Sequence, residues 1–421
     1  MTRLITILGN PTRGASPTKQ YRRTSYAFPD GWTSPSRSFF GLALFEWLSG
    51  QRGEALEELV VIGTAGSAWS TLHELVPGWD SDQAASDDWL ELKERELESE
   101  ITAQMLDPVS ERLGDHLEGV SVRCLLVGHC DTGEEQISLL GHIAQAIPAG
   151  ERVFLDITHG FRHFGVLAIQ SLMFLTSAID VAIEGVYYGM FTPNRAVSLA
   201  GGQELTEWAE ALVLLQRAGQ LAPLVPLLEP GYPSIAKLVD ELHFLISINA
   251  FDRAITKYGQ VKGQLGQMRA GSLLEATIGY IIEKELADLF ASSRISDIQR
   301  RMASRALETG DPMRAAVLTY EAVLSAGISN PRQVMRFDIR KRVRSELDTG
   351  SPFQGGERSV FDTLKKVRNC VAHGTNQHAH HSSNAAVSRA LSSPDHLRAF
   401  VEDAMDTLEP LLERLKATPI V

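Results

Sequence analysis

The stretch Arg152–His163, RVFLDITHGFRH, begins as a run of apolar residues and ends in a cluster of polar ones. The apolar run predicts a buried strand that ends at Gly160, and the apolar residues from about 165 to 178 predict a helix after it. In an open α/β sheet, ligands bind where strands end and helices begin, because free backbone N–H groups point there. A ligand site is therefore predicted at this junction, where the polar side chains are Asp156, Thr158, His159 and Arg162.

The size and composition of the chain narrow its class. A length of 421 residues exceeds one ordinary core and predicts two domains. The formal charge of −12 opposes non-specific binding to nucleic acid, so any such contact needs a local basic patch. The 3 cysteines have no pairing or metal-ligand spacing, which favours a reducing compartment. The N-terminus lacks a signal peptide, and the apolar helix is shorter than the ~20 residues that span a bilayer, so we expect a cytoplasmic protein.

Strand-like runs alternate with helical patterns as far as about residue 195. The runs lie at 4–8, 59–62, 122–127, 152–157 and 183–188. This alternation predicts a mainly parallel sheet with helices on both faces. No dinucleotide fingerprint or P-loop follows the first two runs, which end in Gly9-Asn10-Pro11 and Gly63-Thr64-Ala65-Gly66-Ser67. The first of these is an abrupt turn. In the second, the glycines permit close approach of the backbone, and the hydroxyls of Thr64 and Ser67 offer hydrogen bonds to a ligand.

The first of these loops continues into a basic segment, residues 12–26. It includes Arg13, Lys19, Arg22 and Arg23 among Ser and Thr residues. A phosphate-holding loop and a solvated loop fit this composition equally well.

Composition changes after Gly202, and helical periodicity then continues to the C-terminus. We therefore expect an α/β domain at 1–200 and an all-α region after it. One helix is predicted at Phe361–Ala372, with its stop at Gly374. It carries Arg368 and Asn369, and His373 follows it. Five positions on an ideal helix turn ~140°, so Arg368 and His373 meet only if the helix loosens at Gly374 or two copies face each other.

The chemistry of Arg368 and His373 suits RNA cleavage without a metal. A guanidinium binds the scissile phosphate and the charge that develops on it. An imidazole can move protons to or from the 2′-hydroxyl and the leaving group, and Asn369 could orient the substrate. Taken alone, the spacing is equally typical of a surface cation and a helix-end histidine. A local basic surface, which is also open to a purely solvated reading, adjoins the pair: Arg336, Arg340, Lys341, Arg342, Arg344, Lys365 and Lys366.

Two motifs resemble those of one known family. Asp156-Ile157-Thr158-His159-Gly160 is similar to the Asp-x-Thr-His-Gly signature of CRISPR-associated proteins with a CARF sensor domain. Arg368 to His373, RNCVAH, resembles the Arg-x(4–6)-His motif of HEPN ribonucleases. The loop Gly63–Ser67 and the segment Phe40–Leu48 are also similar to this group.

The resemblance implies a Rossmann-like CARF domain at 1–200, a helical connector at 201–300 and a HEPN core at 301–421. Such proteins are homodimers or higher oligomers that bind a cyclic oligoadenylate, with cyclic tetra-adenylate the expected activator here. Activation leads to cleavage of single-stranded RNA in type III CRISPR antiviral defence, by 2′-hydroxyl attack that leaves a 2′,3′-cyclic phosphate. By position, Arg368, His373 and Asn369 would be catalytic. The sensor pocket that the resemblance implies is lined by residues at the ends of three strands: Gly9, Asn10, Thr64, Gly66, Ser67, Asp156, Thr158, His159, Gly160 and Arg162. The resemblance implies no metal or other cofactor.

Two other functions fit parts of the sequence. A metal-dependent hydrolase could use His159, His163 and Asp156, with His129 as a further ligand. A nucleotide-sensing module without nuclease activity could use its helical half only to recruit a partner. The histidines His378, His380 and His381 could also bind metal, although a polar loop accounts for them.

Overall fold

The computed structural model describes residues 1–10, 21–76, 83–117, 119–350, 352–373 and 385–421. The chain divides into two compact units, Met1–Gln203 and Glu204–Val421. The division lies close to residue 200, where the change in composition had placed the domain boundary. The first unit is α/β and the second is helical, so the predicted fold class is confirmed.

The first unit is built on a six-stranded sheet of order β3-β2-β1-β4-β5-β6, in which only β5 and β6 pair antiparallel. All five predicted strands are present in the structure. The sixth strand, the short antiparallel edge strand β6, was not predicted from the sequence. With so few residues and no apolar run, β6 gives no strand signal in the sequence. The strands are β1 Thr2–Ile7, β2 Leu56–Gly63, β3 Ser121–Leu126, β4 Arg152–Asp156, β5 Ala182–Met190 and β6 Arg195–Ser198.

Helices cover both faces of this sheet, as predicted. Alternate residues of β1 enter different hydrophobic clusters: Leu4 packs with one, and Ile5 and Ile7 pack with the other. This alternation is expected of a strand buried on both faces. The helices of the first unit are α1 Phe40–Glu46, α2 Gln83–Glu98, α3 Ala103–His116, α4 Gly133–Ala146 and α5 Arg162–Ile179, and α1 continues as a π-helical turn, Trp47–Gln51.

Helix α4 is buried along one side only. Ile137 is 69% exposed. Leu139, Ile143 and Ala146 are buried. Because Ile137 lies two residues before Leu139, it points ~200° away from that buried stripe.

Helix α5 is longer than the helix predicted at about 165–178, since it runs from Arg162 to Ile179. It has 18 residues, and it is the one helix among the described residues long and apolar enough to pass a membrane-span test. Its buried residues, including Ala168 and Leu172, pack into the cluster formed with the sheet. Val166 and Phe174 on its other side are each 56% exposed. This two-sided pattern is that of a helix packed on a sheet.

The second unit contains helices only, within the part of the chain that the structure describes. Its buried residues, from Trp208 to Leu415, form one hydrophobic cluster that runs across residue 300. Helix α12 begins at Pro312, and the Asp311 side chain accepts a hydrogen bond from the Arg314 N–H at its start. The helices are α6 Ala200–Ala218 (which begins just before the division), α7 Val225–Leu228, α8 Pro233–Ser247, α9 Phe251–Leu265, α10 Leu273–Leu289, α11 Ile295–Glu308, α12 Pro312–Ala326, α13 Phe337–Thr349, α14 Glu357–His373, α15 Ala385–Ala390 and α16 Pro394–Ala417.

Candidate functional site

The strand-end residues of β1 and β4 meet at the point where the strand order of the sheet reverses. β1 and β4 are parallel neighbours in register Thr6 to Asp156, while β2 continues the sheet on one side and β5 on the other. The loops that follow the two strands lead away on opposite sides of the sheet, which leaves a crevice between them. Gly9-Asn10 and Thr158–Gly160 lie in these loops, so the predicted ligand residues are placed at the switch point of the fold.

Asp156 organises this end of the sheet from inside the protein. Its side chain is completely buried. One carboxylate oxygen accepts hydrogen bonds from the Thr158 N–H (2.8 Å) and the Thr158 hydroxyl (2.5 Å), and the other contacts the Thr6 hydroxyl (2.6 Å). The Thr158 hydroxyl in turn accepts from the Gly189 N–H at 2.7 Å. Asp156 and Thr158 therefore hold β1, β4 and β5 together beneath the crevice.

His159 connects the loop after β4 to the start of α1. Its Nε2 accepts a hydrogen bond from the Phe40 N–H, the first residue of α1, at 3.2 Å. Its ring packs against Tyr21 and Phe39, with ring centroids 4.5 and 5.2 Å away. Burial lowers the pKa of His159 to about 4, so the imidazole is neutral at physiological pH and stays an acceptor.

Gly9 and Gly160 bring the two loops into backbone contact. A Cβ atom on Gly9 would lie 2.3 Å from the Gly160 nitrogen and 2.7 Å from its Cα. Gly160 itself has φ of +89°, a conformation that residues with a side chain rarely adopt. The close contact between the two loops therefore requires glycine at both positions.

The loop after β2 is held by its own hydroxyl groups. The Ser67 hydroxyl accepts from the Thr64 N–H (2.8 Å), donates to the Leu8 carbonyl (2.9 Å) and lies 3.2 Å from the Thr64 hydroxyl. Both side chains are buried. Thr64 and Ser67 thus attach this loop to the end of β1, whereas Asn10 is exposed and close to Gly66. Their assignment to a ligand stays a prediction, and the buried hydroxyls already have partners inside the protein.

The exposed part of the crevice is the N-terminus of α5. Gly160, Phe161, Arg162 and His163 are all exposed, and Phe161 provides no side-chain cap for the helix. The first N–H groups of an uncapped helix, together with the Arg162 guanidinium, favour an anion. Residues 11–20 of the neighbouring basic segment, with Arg13 and Lys19, lie outside the described residues.

The side chains proposed for a metal site have other partners. His159 Nε2 is bonded to α1, Asp156 is buried under the sheet edge, and His163 Nε2 lies 2.8 Å from the His129 carbonyl. Across the described residues, no group of three His, Cys, Asp or Glu side chains could hold an ion. The histidines 378, 380 and 381 lie outside that part of the chain. This geometry does not favour the metal-dependent hydrolase.

Arg368 lies on α14 in a half-buried setting that the sequence does not reveal. Its guanidinium lies 3.2 Å from the Glu321 carboxylate and 5.5 Å from the centroid of the Tyr320 ring, both on α12. Its Nη1 also donates to the Asn369 side chain at 3.1 Å. The buried Nε finds no partner among the described residues.

Glu321 is shared between two cations. Its second oxygen contacts the guanidinium of Arg340 on α13. Arg368, Arg340 and Glu321 together carry one net positive charge, and Glu321 fixes the position of both guanidiniums. Because Glu321 lies 47 positions before Arg368, no local pattern in the sequence connects them.

The α14 helix runs without a break from Glu357 to His373. The helix therefore does not loosen between Arg368 and His373, and Gly374 lies beyond the described residues, as does the His373 side chain. On a regular helix the two side chains leave ~140° apart. Both arrangements considered for this pair, loosening at Gly374 and two copies of the chain, stay predictions, because Gly374 and the His373 side chain lie outside the described residues.

Asp156 gives a pH-dependent prediction about stability. Burial raises the pKa of Asp156 from 3.8 to about 6, against the opposing hydrogen bonds from Thr158 and Thr6. Folding therefore favours the protonated carboxyl, and the stability it contributes is complete below pH 3.8 and lost as the pH rises to about 6. An Asn side chain can make the same contacts without charge. We expect the urea midpoint of Asp156→Asn to exceed that of the wild type by a margin that grows over this range and then stays constant.

Asp338 provides the control for this measurement. Its hydrogen bond to Arg336 lowers its pKa from 3.8, so Asp338→Asn should lose stability relative to the wild type as the pH rises toward about 3.8, which is the opposite sign in a lower pH range. A margin for Asp156→Asn that does not change with pH would show that Asp156 is not protonated in the folded protein.

The comparisons with known proteins fit this geometry. The family model of the CARF domain of the CRISPR system endoribonuclease Csx1 matches residues 3–191. The CRISPR-associated protein MJ1674 of Methanocaldococcus jannaschii is 24% identical over 255 residues, which cover 55% of this chain and 38% of that protein. A structure of Enterococcus italicus Csm6 bound to cyclic hexa-2′-fluoro-hexa-dAMP aligns over 99% of this chain and 97% of that one, at 10% identity. Its TM-score of 0.27 is too low to support a conclusion.

The order of the strands and the crevice at their switch point define a Rossmann-like ligand-binding domain. Residues 3–191 of this domain are similar to the CARF domain of the CRISPR system endoribonuclease Csx1.

Proposed function

We propose that this protein is a ribonuclease activated by a cyclic oligoadenylate. The ring binds at the switch-point crevice, and cyclic tetra-adenylate is the preferred activator. The observation that carries the proposal is the CARF match over residues 3–191, together with an uncapped helix N-terminus that opens at this crevice. An anionic ring is the chemical class that such a site attracts.

The helical unit supplies the nuclease in this proposal. It is a HEPN domain, and its reaction needs no metal. Arg368 binds the scissile phosphate, and Asn369 and Glu321 hold its guanidinium in place. The RNA 2′-oxygen attacks the phosphorus as its hydroxyl proton is removed, the bond from phosphorus to the 5′-oxygen breaks, and the 5′-oxygen leaves as a hydroxyl after it gains a proton. His373 of a second copy moves these protons, and a 2′,3′-cyclic phosphate remains on the other fragment. The proposed enzyme is a homodimer, and the regular helix from Glu357 to His373 supports a site in which the two groups come from different copies.

One assay tests the activity directly. Fluorescent single-stranded RNA is incubated with the full chain in EDTA, with each cyclic oligoadenylate of three to six units in turn. We expect cleavage with one ring size and only slow cleavage without a ring. Activity that requires a divalent ion would contradict the metal-independent reaction.

A second function is favoured by one observation, the ion pair that Arg368 forms with Glu321. If Arg368 serves only to hold this ion pair, it is not catalytic and the helical unit is not a nuclease. The protein would then be a nucleotide-sensing module that recruits a partner. That function predicts ring binding without cleavage under any of the ligands, so the same assay decides between the two.

A further inference from the structure

Helix α13 presents an exposed aromatic and basic face in the helical unit. Phe337, its first residue, is 80% exposed, although a phenyl ring of this size is usually buried. Lys341 and Arg344 follow at positions i+4 and i+7, and both are exposed. Residues at this spacing share one side of a helix. We call Phe337, Lys341 and Arg344 the α13 face.

The cations of the α13 face differ from their neighbours in having no carboxylate partner. Arg336 pairs with Asp338, and Arg340 pairs with Glu321. Within the part of the chain that the structure describes, neither Lys341 nor Arg344 forms such a pair. In a chain with a net charge of −12, two adjacent uncompensated cations beside an exposed ring are a local exception.

The α13 face adjoins the surroundings of Arg368. Arg340 lies on the same helix between these residues and shares Glu321 with Arg368. Arg344 and Arg368 both act electrostatically on the hydroxyl of Tyr320, whose ring lies under the Arg368 guanidinium. Asp348, near the end of α13, pairs with Lys365 of α14 at 2.7 Å. The face is thus continuous with the residues around Arg368.

An exposed ring with flanking cations has a specific use in nucleic-acid binding. Aromatic side chains stack on unpaired bases of any sequence, and lysine or arginine neighbours hold the phosphates. A duplex offers no open base faces to such a ring. A folded acidic protein would pair with Lys341 and Arg344 but would not account for the exposed ring of Phe337.

We propose that the α13 face is the binding surface for single-stranded RNA, with Phe337 as a base-stacking platform and Lys341 and Arg344 as phosphate contacts. The proposal rests on the proposed function, and it adds the path by which the substrate reaches Arg368. The bound strand runs along α13 with one base on Phe337, so that a neighbouring phosphate comes close to Arg368.

The test measures binding and does not depend on cleavage. The full chain carries His373→Ala so that RNA is not consumed, and its affinity for a labelled unstructured RNA of about 16 nucleotides is measured by fluorescence anisotropy in EDTA. We expect Phe337→Leu to raise the Kd about tenfold and Phe337→Trp to keep it near the parent value. Phe244→Leu is the matched control, since Phe244 is 58% exposed on α8 of the same unit.

The salt dependence tests the cations. For a single strand, the slope of log K against log salt falls by ~0.7 for each lost phosphate contact. Lys341→Ala and Arg344→Ala should each reduce the slope by about this amount. Lys237→Ala, at an exposed lysine of α8, should leave it unchanged.

Two results would overturn the α13 face. One is an equal Kd for Phe337→Leu and its parent. The other is a change of oligomeric state in sedimentation when Phe337 is replaced, which would assign the ring to an interface between copies. If the wild type binds RNA through this face but cleaves none under any ring, the surface stands and the nuclease is wrong.

Discussion

Arg368→Ala is expected to reduce the rate of RNA cleavage at least about a hundredfold. The guanidinium is the fixed positive charge nearest to the position proposed for the scissile phosphate, and its loss removes charge stabilisation in the transition state. The fold should survive, because Glu321 keeps Arg340 as a partner when Arg368 is removed. A half-exposed ion pair of this kind contributes less than about 1 kcal/mol to stability. The measurement is the initial rate of cleavage with saturating activator.

A second ion pair in the same unit provides a matched control. Arg305 lies 3.0 Å from Glu285, and its side chain is 20% exposed, against 3.2 Å and 26% for Arg368 with Glu321. Arg305→Ala should therefore change the melting temperature as Arg368→Ala does and leave the cleavage rate unchanged. Both variants should bind the activator like the wild type. Cleavage by Arg368→Ala at the wild-type rate would end the catalytic assignment.

The sequence predicted the fold wherever a local pattern carried the information. Buried parallel strands are nearly continuous apolar runs, so β1, β2, β4 and β5 could be recognised one by one. β6 could not, because it is a short edge strand whose place depends on pairing with β5.

The sequence predicted where the candidate site residues lie in the sheet, but it did not predict which residues they contact. Polar residues after two strands predicted a crevice, and the switch point between β1 and β4 contains them. Their tasks depend on partners far along the chain: Asp156 contacts Thr6, and His159 contacts Phe40. No spacing rule predicts such pairs. The same holds for Arg368 and Glu321, whose contact exists only because α12 and α14 pack together.

These contacts also divide the candidate ligand residues into two groups. Asp156, Thr158, Thr64 and Ser67 shape the crevice from below, because their polar atoms are bonded within the protein. The exposed end of α5 is the part that a ligand can reach. Substitutions in the first group should act through the shape of the loops, and substitutions at Arg162 through direct attraction of the ring.

Gly9→Ala gives the largest effect expected in the first unit. The new methyl group would lie 2.3 Å from the Gly160 nitrogen, 2.7 Å from the Gly160 Cα and 3.0 Å from the Tyr21 hydroxyl, and the two closest atoms belong to the backbone, which cannot rotate away. One of the two loops must therefore move, which separates Asn10 from the N-terminus of α5. Overpacking of this kind costs about 1–3 kcal/mol of stability. We expect affinity for the activating ring to fall by at least about tenfold, since a misplaced loop loses one or more charge-assisted hydrogen bonds.

Calorimetric titration of the ring into the purified variant measures this loss. Gly141→Ala is the control, because a methyl group at that position of α4 has nothing within 4 Å. Alanine should also stabilise α4, since it is a better helix former than glycine. The residues proposed for the nuclease lie in the other compact unit, so slow cleavage without a ring should be the same in Gly9→Ala and the wild type. Wild-type affinity in Gly9→Ala would mean that the ring binds away from the contact between Gly9 and Gly160, and the switch point would no longer be the sensor.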